Sequence, residues 1–89
     1  MKYDALKPAE KREVRLAYIV EQKGLCYYCK APLEGQAAWE IKDKKVKPHL
    51  YPKGFFENPI HLHHNHVTGL TLGAVHAHCN AVLWEYHGE

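Results

Sequence analysis

The residues of this chain best suited to bind a metal form two pairs, one in each half of its 89 residues. Cys26 and Cys29 are separated by two residues, and so are His76 and Cys79. Two ligands with this spacing can wrap one edge of a metal ion, and Zn²⁺ prefers four thiolate or imidazole ligands in a tetrahedron. The two pairs therefore predict one structural zinc site of the Cys3His type, with no position left open for water.

Two alternatives accompany this prediction. Cys26 and Cys29 could form a redox pair, with Cys79 as a buried thiol, but no thioredoxin-like pattern of strand and helix surrounds them. The odd total of three cysteines also argues against a closed disulfide framework. His78 is a second candidate for the histidine ligand, although its spacing to Cys79 is poor, so we favour His76.

A histidine-rich segment lies between the two pairs. Five of the eight histidines fall within residues 61–76, where His63, His64 and His66 precede a Thr-Gly turn. Such crowding indicates metal or phosphate chemistry, because imidazole titrates near neutral pH and is a common metal ligand. A second structural metal site or a transport site is the alternative. For His61, the simplest interpretation is a surface residue of a strand, and the rim of an active site is the other.

A β-hairpin followed by a helix is predicted to position these histidines. Residues 59–66 alternate in polarity as a half-buried strand does, and residues 70–75 can return beside them. Residues 80–86 predict a short helix directly after the last cysteine.

A helix is also predicted over residues 8–23, since Pro8 suits the first helical position and Gly24 a stop. Val14, Ala17 and Tyr18 form its apolar stripe, which we expect to pack on the zinc-bound core. Its cations are Lys11, Arg12 and Arg15. We expect these on a solvated face, with phosphate contact as the alternative.

Residues 34–58 form a basic and aromatic segment whose prolines and glycines argue against long regular structure. A weak alternation over residues 38–42 is compatible with a short strand. The segment is interpreted either as a solvated loop or as a DNA-contacting loop, because lysines neutralise phosphates and aromatic rings can stack. The candidate nucleic-acid contacts are Lys42, Lys44, Lys45 and Lys47, together with His87 near the C-terminus.

The histidine segment and the second metal pair together resemble HNH nucleases of the recombination endonuclease VII type. That family carries a C-x-x-C knuckle and then the pattern D-H-[DN]-H-x-T-G-x-V-R-G-L-L-C-x-x-C-N. Residues 63–80 follow this pattern without a gap, reading HHNHVTGLTLGAVHAHCN. The resemblance covers residues 24–30 and 60–87 well. It covers residues 34–58 poorly, so we interpret that segment as an insertion.

The resemblance implies an α+β chain with a small ββα-metal (His-Me finger) fold, a structural zinc site and an N-terminal helix. The whole chain is expected to form a single HNH nuclease domain. Its parts would be the helix (8–23), the first zinc knuckle (24–33), the insertion (34–58) and the ββα-metal motif with the second knuckle (59–87).

The resemblance also implies a role for each matched residue. His64 matches the general base that takes a proton from the attacking water, a task that suits imidazole. His63 matches the first ligand of a catalytic divalent ion, and Asn80 matches the second. His66 matches a position that supports the site or contacts phosphate, and Asn65 is expected to brace the hairpin.

Three departures from the family pattern affect residues that would bind metal or phosphate. His63 replaces an aspartate, which removes a negative charge and predicts weak dependence on Mg²⁺, with better activity in Mn²⁺, Co²⁺ or Ni²⁺. Leu72 replaces an arginine, so one phosphate contact must come from elsewhere. His76 replaces a thiolate, which leaves the zinc site workable.

The sequence thus predicts a small endonuclease that nicks or cleaves DNA by metal-assisted hydrolysis, with a phage or another mobile element as its expected source. A zinc-stabilised nucleic-acid-binding module without catalysis and a zinc-dependent adaptor are the rival interpretations. DNA is the expected partner, and a second copy or phage packaging or recombination proteins are further candidates. The net charge of +2 permits DNA binding. No signal-peptide or membrane-spanning segment is visible, so we expect an intracellular location, the host cytoplasm for a phage protein.

Overall fold

The structure is a computed structural model that describes residues 2–88. Within these residues, three α-helices and one two-stranded antiparallel sheet form an α+β architecture. The elements are α1 (Pro8–Glu21), α2 (Trp39–Lys42), β1 (Ile60–His64), β2 (Thr71–His76) and α3 (Ala77–His87). Short 3-10 turns lie at Tyr3–Ala5, Pro48–Leu50 and Phe55–Glu57. None of the helices in this part of the chain is long and apolar enough to cross a membrane.

Helix α1 confirms the predicted N-terminal helix but turns a different face inward. The partly buried residues recur with the helical period: Lys11, Val14, Arg15, Tyr18, Ile19 and Gln22. Ala17 is exposed, so the predicted stripe is only partly correct, and the prediction that Lys11 and Arg15 lie on a solvated face is wrong. Tyr18 and Gln22 fix this rotation by hydrogen bonds to β2, where the Gln22 amide oxygen accepts from the Ala74 backbone at 2.9 Å.

Strands β1 and β2 form the predicted hairpin, in antiparallel register from Ile60 opposite His76 to His64 opposite Thr71. A register shift beyond His63 leaves Leu72 without a partner in β1, as in a β-bulge. In the turn, the side-chain oxygen of Asn65 accepts hydrogen bonds from two backbone amides, at 2.8 and 3.0 Å. Asn65 therefore braces the hairpin, as expected.

Helix α3 begins at Ala77, directly after β2, rather than at residue 80. This earlier start places Cys79 and Asn80 in the first helical turn. A small core forms where α3, β2 and the first knuckle meet, and it contains Cys26, Leu33, Ala74, Val75 and Cys79. Two of the predicted zinc ligands are thus core residues.

The segment of residues 34–58 packs on α3 instead of forming a free loop. The proton of the Tyr51 hydroxyl is shared between the Glu85 carboxylate at 2.9 Å and the Ala81 carbonyl at 3.2 Å. The short strand suggested for residues 38–42 is wrong, because Trp39–Lys42 is one turn of helix. An alternation over so few residues cannot distinguish the two structures.

Candidate functional site

The predicted zinc ligands come together in one cluster. The ligand atoms of Cys26, Cys29, His76 and Cys79 all lie within 4.8 Å of one another. Nδ1 of His76 lies 3.5 Å from Sγ of Cys29 and 3.5 Å from Sγ of Cys79. Ordinary zinc bond lengths place nitrogen and sulfur about 3.6 Å apart along a tetrahedral edge. The four residues can therefore bind a metal ion, and their geometry is consistent with a structural zinc.

A backbone carbonyl orients the histidine of this cluster. Nε2–H of His76 donates to the Pro32 carbonyl at 2.8 Å, which leaves the lone pair of Nδ1 facing the sulfur atoms. Nε2–H of His78 instead donates to the Ile41 carbonyl at 2.9 Å, and His78 is outside the cluster. The choice of His76 over His78 is confirmed.

A tight turn shapes the first knuckle. The Lys30 amide donates to the Cys26 carbonyl at 3.1 Å, and Lys30 adopts a left-handed conformation with φ of 67°. The Tyr27 amide donates to the Ala74 carbonyl at 2.9 Å, which joins the knuckle to β2. These bonds bring the two ligand pairs together although they are distant in sequence.

The thiols of the cluster share their protons unequally. A hydrogen bond from the Cys79 thiol lowers the pKa of Cys26 to about 4, and the same contact raises the pKa of Cys79. Both side chains are buried, so a second thiolate is costly without a cation beside it. A bound metal would replace these protons and allow all the thiols to ionise.

A second site is a cavity of about 690 Å³ beside the hairpin. It is lined by His64, His66 and Asn80, so three of the predicted catalytic residues meet there. His63, the fourth, is only 1% exposed and is not among the described residues that line the cavity. Its ring centre lies 6.3 Å from that of Tyr27. His61 and His64 both line the cavity, so the alternation of side chains along a strand does not by itself account for the separation of His63 from His64.

His61 also lines the cavity, which agrees with the alternative interpretation of this residue and not with the favoured one, a surface residue of a strand. Its Nε2–H donates to the Phe55 carbonyl at 2.8 Å, so its Nδ1 accepts from the side-chain amide of Asn80 at 3.1 Å. Burial lowers the pKa of His61, which favours this neutral form. The period-two pattern of the sequence treats His61 and His63 alike, because it places both on one face of the strand. It therefore could not indicate that only His61 lines the cavity.

Aromatic contacts fix the ring of His64. Tyr3 stacks on it with ring centres 3.9 Å apart and an interplanar angle of 9°, and His66 meets it edge-on at 4.6 Å. Burial lowers the pKa of His64, and the nearby histidines and Lys11 lower it further. His64 is therefore a neutral imidazole near neutral pH, able to accept a proton.

The predicted nucleic-acid contacts lie outside the cavity lining: Lys42, Lys44, Lys45, Lys47 and His87. The ammonium of Lys44 lies 5.0 Å from the ring centre of Tyr86, and Nε2 of His87 lies 3.1 Å from the Tyr28 hydroxyl. Lys53 of the same segment does line the cavity. DNA contact by the predicted residues stays a prediction.

Comparisons with protein-family models, curated proteins and solved structures found no match for this chain. The motif in the sequence and the geometry of the cluster and the cavity are therefore the features that point to a function.

Proposed function

We propose that this chain is a small HNH endonuclease with a ββα-metal fold, and that it hydrolyses DNA phosphodiester bonds. One observation carries the proposal: His64 and Asn80, which belong to different elements, line the same cavity. The order of β1, β2 and α3 supports it, because a hairpin followed directly by a helix is the arrangement that the sequence resemblance implies. The Cys3His cluster is able to hold the structural zinc that the proposal includes.

His64 is proposed as the general base. As a neutral imidazole it would accept a proton from water while the water oxygen attacks phosphorus. The bond from phosphorus to the 3′ oxygen then breaks, and the leaving oxygen takes a proton from solvent. The products are a 5′-phosphate and a 3′-hydroxyl. The stacking contact with Tyr3 holds the plane of the imidazole, so the ring is already oriented before the reaction begins.

The proposal includes a divalent ion near Asn80, which when bound would offset charge that grows on the phosphate in the transition state. Asn80 can offer its side-chain oxygen, since its amide nitrogen is engaged by His61. The resemblance implies His63 as the partner ligand from β1. We favour His61, because it lines the cavity with Asn80, and its Nδ1 would bind the ion in exchange for the hydrogen bond from Asn80. Neutral nitrogen and amide ligands suit Mn²⁺, Co²⁺ or Ni²⁺ better than Mg²⁺.

Plasmid nicking tests this function. Supercoiled plasmid is incubated with the zinc-loaded protein and Mn²⁺, beside His64→Ala and beside His49→Ala, a matched change at an exposed histidine outside the cavity lining. We expect open circles from the wild type and from His49→Ala, and a rate roughly 10²–10⁴ lower for His64→Ala. Equal nicking by all three proteins, or none with any divalent metal, would contradict the proposal.

A nucleic-acid-binding module without catalysis is the second candidate. It is favoured by the burial of His63, the residue in the position of the expected metal ligand. Retention of DNA on a gel, combined with no nicking in Mg²⁺, Mn²⁺, Co²⁺ or Ni²⁺, would select this alternative.

A further inference from the structure

Two cations of α1 face the cavity. Lys11 and Arg15 are partly buried and line the cavity together with His64 and Asn80, whereas Arg12 on the same helix is exposed. A helix that packs on a small core normally turns apolar side chains inward and leaves charges to solvent. The inward placement of these two charges calls for a physical reason.

No carboxylate among residues 2–88 lines this cavity, while Lys53 adds a third cation from the segment before β1. Neither Lys11 nor Arg15 forms an ion pair with a carboxylate in this described part of the chain. They stand four residues apart on α1, and like charges at that spacing destabilise a helix. Partial burial adds a desolvation cost. An anion bound between the two side chains would offset both costs.

The cations also lie close to the groups proposed to act on DNA. The Lys11 ammonium is 4.0 Å from the ring centre of Tyr3, and that ring stacks on His64. The charge of Arg15 reaches His61, where it adds to the effect of burial in lowering the pKa of His61. Positive charge therefore lies near both His64 and the His61–Asn80 pair.

We propose that Lys11 and Arg15 bind the phosphodiester group that is cleaved, so that α1 is the phosphate-binding wall of the cavity. This inference rests on the proposed function. The guanidinium of Arg15 can donate two parallel hydrogen bonds to phosphate oxygens, and Lys11 adds a compact charge. The two residues would hold the scissile group against His64, while more distant lysines contribute only to general attraction.

Variants that each remove one positive charge from α1 test the inference. Lys11→Gln and Arg15→Gln are each placed in a His64→Ala background, and their affinity for a fluorescein-labelled DNA duplex is measured by anisotropy over a salt series. Arg12→Gln is the control, since it removes the same charge from the solvent side of the same helix. We expect roughly tenfold weaker binding for each cavity variant and less than about twofold for the control. Zinc content and the circular dichroism spectrum establish that each variant is folded.

Arg15→Lys separates charge from packing. It keeps the positive charge and should recover most of the affinity that Arg15→Gln loses, with a lower nicking rate when His64 is restored, because one of the two parallel hydrogen bonds is missing. A lysine variant that binds as weakly as the glutamine variant, with both showing the same salt dependence as the protein with Arg15 intact, would show that Arg15 contributes packing and no phosphate contact, and would overturn the inference.

The outcomes distinguish this inference from the proposed function. If Lys11→Gln and Arg15→Gln bind DNA as tightly as Arg12→Gln while the wild type nicks plasmid, the inference fails and the endonuclease assignment stands. If the wild type never nicks, yet only the cavity variants lose affinity for DNA, the phosphate site stands and the catalytic assignment fails.

Discussion

The side-chain amide of Asn80 donates a hydrogen bond to Nδ1 of His61 at 3.1 Å, and this contact joins α3 to β1 inside the cavity. Nε2–H of the same imidazole donates to the Phe55 carbonyl. His76 and His78 are each held in the same way by a carbonyl of residues 32–41. Backbone carbonyls of the first knuckle and of the segment before β1 thus orient one imidazole at each candidate site, His76 in the cluster and His61 in the cavity.

Replacement of His61 should weaken the binding of a divalent ion. We expect His61→Ala to raise the Kd for Mn²⁺ by roughly 10- to 100-fold, because either a ligand or the group that orients Asn80 is lost. Zinc content should stay unchanged, since the His61 ring is not part of the cluster. Calorimetric titration of the zinc-loaded protein with Mn²⁺ measures the effect.

His63→Ala is the comparison for that experiment. Because His63 is only 1% exposed, we expect a loss of about 2–3 kcal/mol in the free energy of unfolding, with a smaller change in Mn²⁺ affinity than in His61→Ala. The reverse result, loss of Mn²⁺ binding in a fully stable His63→Ala variant, would restore His63 to the role that the sequence motif implies.

Removal of zinc should unfold the chain. Cys26 and Cys79 belong to its small core, so the loss of the ion leaves buried thiols without a partner cation. Metal affinity in small zinc domains contributes on the order of 10 kcal/mol to folding. We expect a strong chelator to abolish the helical circular dichroism signal in step with zinc release, and Cys79→Ser to purify with substoichiometric zinc. A spectrum that is unchanged after complete extraction would show that the cluster is not structural.

The pH profile of nicking should reflect a histidine with a lowered pKa. His64 must be neutral to accept a proton, and burial together with the charges of His66, His63 and Lys11 lowers its pKa below the ordinary 6.5. Activity should therefore rise with pH and reach half its plateau below pH 6.5. Asp4→Asn removes the carboxylate that opposes this shift, so its midpoint should be lower still. A midpoint above that of an ordinary imidazole would argue against His64 as the base.

Gly73 should tolerate no side chain. A Cβ atom there would lie 2.7 Å from the amide oxygen of Gln22 and 2.8 Å from the Tyr27 ring. We expect Gly73→Ala to lower the free energy of unfolding by about 1–3 kcal/mol, measured by urea denaturation. Gly35→Ala is the control, since the nearest atom to its Cβ would be 3.7 Å away. Equal stability of the two variants would contradict the close packing of α1, the knuckle and β2.

The sequence predicted the parts of this molecule that depend on local spacing. The ligand pairs of the cluster and the hairpin have short-range sequence patterns. Cys26 and Cys79 could therefore be assigned to one metal site without knowledge of the fold. The inward face of α1 could not be predicted, because Lys11 and Arg15 contradict hydrophobic patterning. The path of residues 34–58 depends on hydrogen bonds between residues far apart in sequence, such as that of Tyr51 to Glu85. Such bonds produce no periodic pattern in the sequence.

Cys79 and Asn80 are consecutive residues in the first turn of α3, and one belongs to the buried cluster while the other faces the cavity. A shift in the position of the first turn of α3 must therefore move the side chains of Cys79 and Asn80 together. A newly made polypeptide would then acquire its working geometry when it is metallated, not when its synthesis ends. The onset of activity in a cell would follow the supply of zinc.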